Sequence, residues 1–87
     1  MFIEKENLLS WEINVNEKST SFRSFKYEYD FKIEKIKEKK LYNAFIYRDG
    51  QIIHMSSSLN FEQAANWCQN FCKAKEFLRL SMLAQEH

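Results

Sequence analysis

A chain of 87 residues with 13 Lys+Arg against 12 Asp+Glu has the length of one small domain, too short for a catalytic domain with a second lobe. Its 45% apolar and 29% charged residues exclude a disordered or membrane-spanning chain, and a formal net charge of +1 excludes both an acidic DNA mimic and a strongly basic nucleic-acid clamp. Eight Phe, four Tyr and two Trp supply bulky groups for a core and a contact surface, while one Gly and no Pro exclude a many-turned sandwich or barrel.

The chain opens on the polar stretch 1–7, MFIEKEN, either a lead-in or a short edge strand. Acids stand where a signal peptide has a basic start and a long apolar run, so the expectation is a cytoplasmic, reducing location. Trp11, Ile13 and Val15, interleaved with Glu12 and Asn14, predict a half-buried strand. The polar run Asn16–Ser21 then reads as a loop.

Phe25, Tyr27, Tyr29, Phe31 and Ile33 alternate with Lys26, Glu28, Asp30, Lys32 and Glu34. Unbroken period-2 alternation predicts one long strand with an aromatic row on the core and a charged row in solvent. Lys35–Lys40 breaks the period, as a bulge, a protruding turn or one turn of helix, and concentrates four lysines. Residues 41–48 and 51–55 bracket Asp49-Gly50, the dipeptide that takes the two positive φ angles of a type I′ hairpin. Ser56–Ser58 ends that strand. Asn60 with Gln63 three residues on predicts a capped helix start, with Leu59 stapling against Ala64.

From Phe61 through Ala64, Ala65, Cys68, Phe71, Cys72, Leu78 and Met82 the apolar positions follow a helical stripe with Trp67 beside it. A helix over 61–84 would span about 36 Å, enough to cross a sheet and overhang it. Phe77, Leu80 and Leu83 widen the stripe on another side. Residues 77–84 therefore form either a contact surface for self-association or, after a helix break, a segment folded back on the core.

Little of this composition suits catalysis. The sequence has no glycine-rich phosphate loop, no nucleophile elbow and no metal-binding HExxH or Cys-pair spacing. His54, the single non-terminal histidine, has no evident orienting carboxylate or nucleophile. Cys68 and Cys72, four apart on a helix, share a face without the geometry of a disulfide and read as buried thiols. A zinc site needs about four ligands, and only His54 and His87 could join them. The expectation is a non-enzyme with no catalytic residue, metal or cofactor.

Nucleic-acid binding is the alternative reading. Lys26, Lys32, Lys35, Lys37, Lys39, Lys40 and Arg48 lie on or near a sheet that also carries Phe45 and Tyr47, and single-strand binders combine cations with stacking aromatics. Glu28, Asp30, Glu34, Glu38 and Asp49 are interleaved and weaken the field. Four strands followed by Leu59-Asn60-Phe61-Glu62-Gln63 resemble the Whirly and positive-cofactor type of single-stranded DNA-binding domain, which implies helices that pair two subunits. The chain departs from that family in lacking its dense lysine and arginine supply.

The hairpin Arg48-Asp49-Gly50-Gln51, its second strand and the helix start Leu59-Asn60-Phe61-Glu62-Gln63-Ala64-Ala65-Asn66-Trp67 are similar to short phage-encoded proteins, including some type I anti-CRISPR inhibitors. The integrase arm-binding domain shares the hairpin-to-helix pattern. The inhibitor resemblance implies a non-enzymatic module that occupies the surface of a larger host protein or ribonucleoprotein complex.

The sequence thus predicts one α+β domain over 1–87, an antiparallel three- or four-stranded β-meander in 1–58 packed on a helix in 59–84. Its core is expected from Trp11, Ile13, Phe25, Tyr27, Tyr29, Phe31, Ala44, Ile46, Ala64, Cys68, Phe71 and Cys72. Lys35, Lys37, Lys39, Lys40 and Arg48 are the candidate partner-binding residues. Phe77, Leu80 and Leu83 are the candidate self-association residues of a homodimer, and no membrane contact is expected.

Overall fold

The computed structural model describes residues 9–84, with the backbone alone at 83 and 84. The reading of 1–7, His87 and the Leu83 side chain lie outside the described residues. Asp49 (φ 54°) and Gly50 (φ 79°) make the expected type I′ turn, closed by the Arg48–Gln51 pair. Around it five strands, β1 (Glu12–Val15), β2 (Ser19–Lys26), β3 (Tyr29–Ile36), β4 (Tyr42–Arg48) and β5 (Gln51–Ser58), form an antiparallel sheet in the order of the sequence. A single helix, α1 (Phe61–Ala84), follows, giving an α+β fold.

The expected three or four strands become five because the alternation at 25–34 conceals a turn. Lys26 pairs with Tyr29 across Tyr27-Glu28, and Tyr27 takes φ 58°, a value that favours glycine. A two-residue turn inverts which parity of residue faces the core. Tyr29, Phe31 and Ile33 face α1, but on β2 the inward residues are Phe22, Ser24 and Lys26. Phe25, expected in the core, is instead 64% exposed on the outer face opposite Asp30, and Tyr27 is exposed at the turn. Lys26, assigned to a solvent-facing row, belongs to the α1 side.

Other boundaries also move. The supposed loop 16–21 is a short turn followed by the start of β2, held by Asn16 Oδ1 accepting from the amides of Lys18 (2.8 Å) and Ser19 (2.9 Å). Strand β5 continues through Ser58, and the irregularity sits between Ile46 and Tyr47, where β5 carries an extra residue against β4. Ile13 lies opposite Phe22 but at the sheet margin, where it is exposed.

The core is the layer between sheet and helix: Tyr29, Phe31, Ile33, Ala44 and Ile46 below, Ala64, Ala65, Cys68 and Cys72 above, with Leu9 at one end. Trp11 and Phe71 pack against it half-buried. Phe61 joins the margin to the core, 5.9 Å from Trp11 and 4.4 Å from Phe22 between ring centroids. Helix α1 begins as its side chains dictate. Asn60 Oδ1 accepts from the Gln63 amide (2.9 Å), while Gln63 Oε1 accepts from the Leu59 amide (3.1 Å). Leu59 itself is exposed, so the expected staple to Ala64 does not form. The helix is unbroken to Ala84, which rules out the fold-back of 77–84.

Candidate functional site

Three surfaces remain once the core is filled. The first is the lysine end. Strand β3 stops at Ile36, the Lys39 amide donates to the Ile36 carbonyl (2.9 Å), and the Lys37 amide donates to the Lys18 carbonyl (2.8 Å), binding this turn to the β1–β2 turn. Lys35 is partly committed, its Nζ donating to the Ile36 carbonyl (3.2 Å) and standing 6.0 Å from the Tyr42 ring centroid. Lys37, Lys39 and Lys40 are exposed, and Glu17, Lys18, Ile36, Lys37 and Glu38 share one shallow depression. Mixed sign in that depression weakens attraction for polyanions.

Arg48 does not join these lysines. Strand β4 pairs Tyr42 with Lys35 at one end and Arg48 with Tyr29 at the other. Six residue steps of extended chain separate them by about 20 Å. The sequence grouped them because both flank β4; antiparallel pairing puts the β3–β4 and β4–β5 turns at opposite ends of the strands.

The second surface surrounds Arg48. Lys75 Nζ stands 5.9 Å from the Tyr29 ring centroid and 5.3 Å from that of Phe71, and the Arg79 guanidinium lies 4.8 Å from the Tyr27 ring centroid. Lys26 Nζ approaches Tyr27 at 5.4 Å. Tyr27 OH donates to Glu76 Oε1. Four cations, Lys26, Arg48, Lys75 and Arg79, thus gather at the end of the sheet that α1 overhangs, three of them over aromatic faces. Beyond this contact Phe77 (69% exposed), Leu78, Leu80 (58% exposed) and Met82 project without cover, although the stripe pattern assigned Leu78 and Met82 to the core side. This combination of cations and an apolar helix end is missed in the sequence. Its only linear signal is Lys75 and Arg79 preceding the greasy last turns.

The third surface is the sheet face away from α1. Its middle row runs Glu12, Arg23, Lys32, Phe45, Met55, and the next row runs Phe25, Asp30, Tyr47, Ile52. Strands β1–β3 make it polar, and β4–β5 make it apolar. Phe45 and Tyr47 lie 6.3 Å apart between ring centroids.

Burial pushes the Cys68 thiol up to about 12, with Cys72 adding to the shift. Burial likewise raises Cys72, to about 11, with Lys26 opposing it. Both thiols are free and buried, as expected. His54 lies on the α1 side of β5 opposite Ile46, its ring edge-on to Phe71 at 5.5 Å. Among the described residues no group of three or more His, Cys, Asp or Glu is placed to hold a metal ion, and no helix is long and apolar enough to cross a membrane. No protein-family model, curated protein or solved structure matches the chain.

Proposed function

We propose that this chain is a non-enzymatic protein-binding module that occupies the surface of a larger protein or ribonucleoprotein complex, as an inhibitor carried by a phage or mobile element. The observation that carries the reading is the helix end. An unbroken α1 runs past the sheet and leaves Phe77, Leu78, Leu80 and Met82 in water, beside Arg48, Lys75 and Arg79. Apolar side chains at helical spacing with a cationic border suit an apolar groove rimmed by acids or phosphates. The similarity of the hairpin-to-helix segment to type I anti-CRISPR proteins makes a host-defence ribonucleoprotein the target to test. Cells with active type I interference are challenged with a targeted phage while they express the chain. Restored plaquing, lost in the Phe77→Glu/Leu80→Glu variant, is expected, with co-elution of the purified surveillance complex at high salt. Full interference together with no co-elution overturns the reading.

A second reading rests on the outer face. Arg23 and Lys32 continue into Phe45 in one cross-strand row, so cations and an aromatic plane stand side by side as a single-strand binder requires. Steeply salt-dependent binding of short single-stranded oligonucleotides, weakened by Phe45→Ala and Lys32→Ala, would favour it.

A further inference from the structure

We infer that strand β5 is a self-pairing edge, and that the chain forms a two-fold dimer in which β5 of each copy hydrogen-bonds antiparallel to β5 of the other. The sheet has two edges of opposite character. Strand β1 is four residues long and begins with Glu12. Strand β5 is eight residues, Gln51–Ser58, paired among the described residues only with β4, and contains no Lys, Arg, Asp, Glu or Pro in a chain that is 29% charged. Past the extra residue at Ile53, the regular run His54–Ser58 presents a row of backbone donors and acceptors, and the strand carries none of the charges or prolines that block pairing with another strand.

The side chains on both sides of β5 suit a second copy of the same strand. Ile52 and Met55 (65% exposed) continue the apolar strip of Phe45 and Tyr47 to the rim of the outer face, where an identical strip would abut it. On the other side α1 packs over β3, β4 and β5, and a groove lined by Ile46, His54, Trp67, Asn70 and Phe71 opens at the β5 rim. Two copies related by a two-fold axis would bring these grooves and their helices side by side over the joint. Uncharged meets uncharged along the seam, and a formal charge of +1 per chain leaves little long-range repulsion. The arrangement also closes: both β5 edges are consumed, and among the described residues only the short β1 strands remain at the ends of a ten-stranded sheet.

Sedimentation of the full chain across the micromolar range tests this, together with amide exchange. The unmodified protein is expected to sediment as a dimer, with the amides of β5 that do not face β4 protected as well as those of β3. Ile52→Lys/Met55→Lys, two exposed positions on the outer face, should give a folded monomer and lose that protection. Phe77→Glu/Leu80→Glu, which removes the surface proposed for the partner, should leave the dimer intact. A monomeric unmodified protein overturns the inference. So do unprotected outward β5 amides, and so does a dimer that survives the lysine pair or dissociates with the helix-end pair.

Discussion

Tyr27 and Glu76 lie 49 positions apart in the chain, and the Tyr27 hydroxyl donates to the Glu76 carboxylate, fastening the β2–β3 turn to the helix where it leaves the sheet. Tyr27 does this at φ 58°, a conformation disfavoured for a bulky residue, so the contact and the stacked Arg79 guanidinium hold the backbone against its local preference. Tyr27→Phe keeps the ring and the turn but loses the bond, and should cost up to about 1 kcal/mol, since the site is exposed. Glu76→Gln should cost a similar amount, and the double variant less than the sum. Additive losses in denaturant titrations would show that the two residues are not coupled.

Gly50 supplies the second positive φ of the β4–β5 turn. A Cβ there meets nothing within 4 Å, so any penalty for Gly50→Val comes from the backbone and not from crowding. Forcing a β-branched residue to φ 79° should cost about 1–2 kcal/mol. An unchanged melting temperature would show that the turn relaxes freely to another type.

Among the described residues Ser24 is the one buried polar residue, 3% exposed, and its hydroxyl finds no hydrogen-bond partner there. It lies on the helix-facing side of β2, paired with Phe31. An uncompensated buried hydroxyl costs about 1–3 kcal/mol, so Ser24→Ala should leave stability unchanged or raise it by up to that amount. A clear drop in melting temperature would mean that the hydroxyl has a partner.

The two cysteines predict both reactivity and a pH response. With Cys68 held near 12 and Cys72 near 11, little thiolate exists at neutral pH, so a thiol reagent should label the native protein slowly and the denatured protein quickly. The native pKa values lie above the ordinary 9.0, so the folded state holds these protons longer than the unfolded state does. Their stabilising effect is complete below about pH 9 and is lost as pH rises toward 12. Cys68→Ala should flatten that part of the stability profile relative to the unmodified chain. Rapid labelling of the folded protein would contradict the burial of both thiols.

The local devices were legible in the residues. Asp49-Gly50 selects its turn through φ alone, Asn60 and Gln63 select the helix start through side-chain acceptors three residues apart, and the helical stripe through Ala64, Cys68 and Cys72 states which face is buried. Each rests on neighbours within one turn of chain. Tertiary structure decided the rest. No glycine marks the β2–β3 turn, and period-2 alternation reads identically through a two-residue reversal, so only pairing with β3 and packing under α1 send Phe25 outward and Ser24 inward. Arg48 was visible as a cation, but its company was not: Tyr29 reaches it through strand register, and Lys75 reaches Tyr29 from a helix that returns over the sheet. The residues left two places for Phe77 and Leu80, a contact surface or a fold-back onto the core, and the unbroken run of α1 past the sheet decided for exposure.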